Sequence, residues 1–77
     1  MNVEIQGHTD KTGKRQANIR LSKKRAEAVK NYLVELGLSQ DLMTAVGYGP
    51  DQPVASNRTE AGRAKNRRIE FRVSREE

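Results

Sequence analysis

The chain has 77 residues and no cysteine, which bounds it to one domain without a disulfide or a thiolate metal site. Fifteen Lys and Arg against ten Asp and Glu leave a net charge of +5, and only 34% of the residues are hydrophobic, so any core is thin. No apolar run approaches the roughly 18 to 20 residues of a membrane-spanning helix, which excludes that class of insertion.

In chain order, Val3 and Ile5 alternate with Glu4 and Gln6, the period of a half-buried strand, and Gly7 breaks the pattern. Gly13 marks a loop. From about Gln16 or Asn18 a helical period takes over, with Leu21, Ala26, Val29, Leu33 and Leu36 on one apolar face and Gly37 as the stop. Residues 43–48 read as a second strand. Pro50 and Pro53 fix a loop, because each lacks a backbone donor. Thr59 caps a short helix from Glu60 to about Asn66. Ile69, Phe71 and Val73 then alternate with Glu70, Arg72 and Ser74 as a third strand. The order β-α-β-α-β implies an α/β (α+β) two-layer sandwich, with helices on one face of a small mixed sheet.

Two charged residues stand out chemically. Asp10 follows the first strand and Arg25 lies on the long helix; a carboxylate accepts from an ammonium, and a guanidinium fork matches a carboxylate, so the pair suits a zwitterionic end-group. The alternative is an internal salt bridge between them. Asn18, Leu21 and Arg25 return to nearly the same helix face at offsets of three, four and seven. His8 and Asp10 lack a nucleophile, a second histidine or metal-ligand spacing nearby, so no enzyme, metal or cofactor is expected. The basic stretches, Lys11 to Arg25 and Arg58 to Arg75, carry no interleaved aromatics for base stacking, and nucleic acid is not the expected partner. A basic interaction module for a polyanion or an acidic protein is the alternative function.

Four segments in register sharpen this reading. Ile5-Gln6-Gly7-His8-Thr9-Asp10, Asn18 with Leu21-Ser22-Lys23-Lys24-Arg25-Ala26, Ala45-Val46-Gly47-Tyr48-Gly49, and Gly62-Arg63-Ala64-Lys65-Asn66-Arg67-Arg68-Ile69-Glu70 resemble the OmpA-like peptidoglycan-binding domain, across nearly the whole chain. The resemblance implies noncovalent binding of peptidoglycan through the diaminopimelate of its peptide stem, in the periplasm or at the outer membrane of a Gram-negative bacterium. By the same resemblance Asp10 takes the ammonium and Arg25 the carboxylate, while Thr9, Asn18 and Leu21 line the pocket. Asn66-Arg67-Arg68 resembles the family's closing motif and is read as structural.

The family's domain usually opens with a further strand and helix, whereas this chain opens almost at the later strand. The chain is therefore expected to be a single partial domain over residues 1–77, with any membrane attachment through an upstream anchor. An exposed sheet edge and apolar helix face should follow, giving a homo-oligomer or a marginal monomer.

Overall fold

The computed structural model describes residues 1–75. Strand β1 (Asn2–His8) leads through a loop to helix α1 (Arg15–Glu35); a 3₁₀ turn at Gln40–Leu42 opens strand β2 (Met43–Gly49), and helix α2 (Glu60–Asn66) precedes strand β3 (Arg68–Ser74). The β-α-β-α-β order read from the sequence is the observed one.

The sheet order is β2-β1-β3, with β1 parallel to β2 and antiparallel to β3. Register brings Ile5 beside Ala45 and Phe71, and Val3 beside Met43 and Val73, so the apolar residues of all three strands share one face. Ile5, Ala26 and Met43 are the buried hydrophobic centre, with Val3, Val29, Leu33, Val34, Ala45 and Ile69 packed around it. Helix α1 lies over β1 and β2. Phe71 and Val73 on β3 stay more than half exposed, as do Leu36 and Leu38 beyond the helix. The expected uncovered apolar surface is thus present among the described residues.

The face of α1 that meets the sheet keeps Ala26, Val29 and Leu33 of the expected stripe and loses its two ends. Leu21 and Leu36 are exposed, and Ser22 is fully buried with Ala26. The reason lies in the strands. A Cβ on Gly7 would stand 2.0 Å from the Ser22 carbonyl oxygen, and one on Gly47 would stand 2.5 Å from the Lys23 nitrogen, so helix and strand backbones nearly touch there. Only a small residue fits at such an approach, and the larger Leu21 turns outward. Ser22 Oγ donates to the Ile19 carbonyl and accepts from the Gly49 N–H, each at 2.9 Å, so its burial leaves no polar group unmet.

Gly37 stops α1 as expected, with φ at 101°. The Gly37 N–H donates to the Val34 carbonyl at 3.0 Å and the Leu38 N–H to the Leu33 carbonyl at 3.1 Å, the paired bonds of a Schellman termination. Thr59 caps α2 by accepting from the Gly62 N–H at 3.0 Å.

Candidate functional site

Strand β1 ends by burying its last residues. Thr9 and Asp10 are each under 10% exposed, and the Thr9 N–H donates to the Gly49 carbonyl at 2.9 Å, which carries the β1–β2 pairing past the strand end. Thr9 Oγ1 donates to the Asp10 carbonyl at 2.8 Å. The loop then turns back on itself: Asp10 Oδ1 accepts from the Thr12 N–H at 2.8 Å, an Asx-type turn. Asn18 Nδ2 donates to the Thr12 carbonyl at 2.9 Å, which ties this turn to the start of α1. Asn18 is therefore the brace between the Asp10 loop and the helix.

Arg67 holds the other oxygen. Its Nη1 donates to Asp10 Oδ2 at 2.6 Å, and its Nη2 to Glu60 Oε1 at 2.7 Å. Glu60 Oε2 meets Arg63 at 3.2 Å, completing a line of alternating charges from the β1 end across α2. The Thr12 N–H first, and the Arg67 guanidinium second, lower the pKa of the Asp10 carboxyl and favour its ionised form. A carboxylate accepts about four hydrogen bonds; the Thr12 N–H, the Thr12 side chain and Arg67 supply three, so Asp10 retains acceptor capacity for a ligand.

Arg25 stands apart from this network. It is exposed on α1 and its side chain makes no hydrogen bond or ion pair among the described residues, so the internal Asp10–Arg25 salt bridge is absent there. Asn18, Leu21 and Arg25 form a stripe rising from the Asp10 loop, about 10 Å long at 1.5 Å per residue. Leu21 is 41% exposed on that stripe, which removes its reading as ordinary core. Asp10, Thr9 and Asn18 are bonded into one unit, and Leu21 and Arg25 extend from it along the helix.

Asn66 bears out the structural reading of the Asn66-Arg67-Arg68 cluster. Fully buried, it accepts from the Val54 and Ala55 N–H groups at 2.8 and 3.0 Å, and donates to the Ala55 carbonyl and Asn57 Oδ1 at 3.0 and 2.8 Å. The loop before α2 thus closes around one amide. His8 is likewise structural: it is 2% exposed, stacks on Tyr48 at 5.4 Å, and bonds Gln6 through Nε2 at 3.1 Å. Burial, and then the nearby Arg68 charge, lower its pKa and favour the neutral ring.

Two contributors escaped the sequence reading: Arg67 as the partner of Asp10, and Ser22 as the contact that seats the helix. The run Gly7, Gly47 and Gly49 was the available signal for Ser22, since three small residues at two strand ends invite a close backbone neighbour.

The sequence pattern of the OmpA family matches residues 1–67. The chain belongs to the OmpA family. It is 54% identical over 72 residues to outer membrane porin F of Pseudomonas fluorescens, covering 94% of this chain and 22% of that protein. It is 50% identical over 72 residues to peptidoglycan-binding protein ArfA of Mycobacterium bovis, with the same two coverages. Among solved structures, the peptidoglycan-associated lipoprotein from Burkholderia pseudomallei matches with a TM-score of 0.87 at 43% identity, covering 91% of this chain and 59% of that one. The chain thus spans under a quarter of the length of either of those two curated relatives. The α+β fold expected of the family is the fold observed.

Proposed function

We propose that this OmpA-family chain binds peptidoglycan noncovalently and holds the diaminopimelate of a peptide stem, with Asp10 on the ammonium and Arg25 on the carboxylate. The relatives named for peptidoglycan support the polymer as ligand. One observation carries the finer reading: Asp10 is an ionised, braced carboxylate with acceptor capacity left, and the unpaired Arg25 rises on the helix that Asn18 fastens to it. Leu21, exposed between them, covers the aliphatic part of the ligand, and Thr9 fixes the backbone beneath Asp10.

The mode is binding, with no chemistry on the ligand. Each charge-assisted hydrogen bond contributes roughly 1.5 to 3 kcal/mol before the costs of association, which sets a modest single-site affinity. Repeated sites along a polymer convert modest affinity into a firm tether through effective concentration. The setting inferred is that of the relatives, the periplasm and outer membrane, where the chain would fasten an envelope protein to the wall.

Self-association is a second part of the proposal. The outer edge of β3 has no strand partner among the described residues, and an antiparallel register centred on Phe71 would set Glu70 opposite Arg72 of a second copy. Exposed Phe71 and Val73 would be covered in such a pair.

Amide-resolved NMR titration with a diaminopimelate-containing stem peptide tests the binding mode. Saturable shifts centred on Asp10, Asn18 and Arg25 are expected. Shifts centred elsewhere, or none in a well-dispersed spectrum, would overturn it.

A further inference from the structure

Beside the Asp10 loop lies a hollow of ≈580 Å³ lined by Lys11, Thr12, Ser56, Asn57, Arg58 and Arg63. Three of its six lining residues are cations, and none is an acid. Lys11 and Arg58 are exposed, and their side chains make no hydrogen bond or ion pair among the described residues. Arg63 is fixed in place, with Nη1 donating to the Asn57 carbonyl at 3.0 Å and Nε to Glu60 Oε2 at 3.2 Å. The hollow therefore offers two unpaired cations and one anchored cation, beside hydroxyl and amide groups from Thr12, Ser56 and Asn57.

Its position is tied to the proposed diaminopimelate site. Thr12 lines the hollow, and its N–H holds Asp10 Oδ1. Arg63 is joined to Asp10 through Glu60 and Arg67. Asp10 and Thr12 are two residues apart, so their backbones lie within about 7 Å, roughly the span of two residues of an extended peptide. A ligand whose ammonium sits on Asp10 would carry its neighbouring residue across Thr12 into the hollow.

We infer that this hollow is an anion subsite for a second carboxylate of the same peptide stem, that of the residue next to the diaminopimelate. The inference rests on the proposed stem-binding reading and extends it. Asp10 and Arg25 read the zwitterionic end of one residue, and Lys11, Arg58 and Arg63 read the charge of the next. The subsite would make the module sensitive to whether that neighbouring carboxylate is free or amidated.

The test uses two stem peptides that differ only in that neighbouring group, a free carboxylate in one and a carboxamide in the other, titrated into the whole chain. The carboxamide should bind about fivefold to tenfold more weakly. Lys11→Ala with Arg58→Ala should bind both peptides alike, at the level the unsubstituted chain shows for the carboxamide; both side chains are exposed, so their loss leaves the fold intact. Equal binding of the two peptides by the unsubstituted chain, abolished in both by Asp10→Ala, would overturn the subsite and leave the diaminopimelate reading standing. Equal weakening of both peptides by the double substitution would reduce the cations to general attraction for an anionic polymer, and would also overturn the subsite. Binding of neither peptide would overturn the subsite together with the reading beneath it.

Discussion

Arg67 reaches Asp10 across 57 residues of sequence, donating to its Oδ2 at 2.6 Å, and so holds the β1 loop from the end of α2, one residue before β3. The contact explains how a carboxylate that is 8% exposed keeps its charge: one oxygen meets a guanidinium and the other a backbone N–H. It also sets Asp10 at a fixed place relative to α2 and the last strand, which a two-residue turn alone would not do.

Replacing Arg67 with Met keeps the stem and removes the charge. The Asp10 pKa should rise toward its ordinary 3.8 without recovering it fully, since the Thr12 N–H, the larger cause of the lowering, remains. Carbon-detected NMR titration of the Asp10 carboxyl reads this directly, and a pKa left unchanged would refute the contact's part in it. The urea midpoint should also fall.

Stability should decline with acid in two stages. The His8 pKa lies below its ordinary 6.5 in the folded chain, so the unfolded chain binds more protons just beneath that value, and stability falls as pH drops through the window between the two. Asp10, Asp51, Glu60 and Glu70 all have lowered pKa values, so their contribution is complete above the ordinary carboxylate range and is lost as pH falls through the folded values. Urea midpoints measured across pH should show both stages, and His8→Gln should remove the upper one alone.

The helix–strand approach makes Gly7 nearly irreplaceable. Gly7→Ala would drive a Cβ into the Ser22 carbonyl, against backbone that cannot swing aside, and should cost about 3 kcal/mol or more. Gly13 has φ at 90°, and a methyl group added there would find nothing within 4 Å, so Gly13→Ala meets only backbone strain and should cost about 1 kcal/mol. Denaturant unfolding of the two variants orders them, and the reverse order would contradict this packing.

Asn66→Ala strands two N–H groups, from Val54 and Ala55, inside a closed loop. A loss of roughly 2 to 4 kcal/mol is expected. Faster hydrogen exchange should be confined at first to the loop before α2, and uniform protection across the chain would contradict the bracing role.

Much of this fold was legible because local signals agreed. Gly37 sits where the apolar period stops, Thr59 precedes a short helical run, and Ile69, Phe71 and Val73 alternate cleanly; each effect acts within a few residues. Ser22 was not legible, because a polar residue within a helix reads as surface until Gly7 and Gly47 are known to lie against it. The Arg67 contact depends on β3 pairing beside β1, a relation fixed only when the sheet closes. Leu21 fits a helical apolar period, yet the close glycine contact at Ser22 rotates it outward. Asp10, Asn18 and Arg25 were singled out by chemistry and resemblance, and the brace from Asn18 to Thr12 supplies the mechanical link that spacing alone could not give.

The central claim is that Asp10 and Arg25 read the two charges of one diaminopimelate end-group. The most direct test compares stem peptides carrying diaminopimelate or lysine, which share the ammonium and differ in the adjacent carboxylate, against the unsubstituted chain, Asp10→Ala and Arg25→Ala. The unsubstituted chain should prefer diaminopimelate by about 10- to 100-fold, Arg25→Ala should abolish that preference, and Asp10→Ala should weaken both peptides. A preference that survives Arg25→Ala, or binding indifferent to Asp10→Ala, would contradict the account.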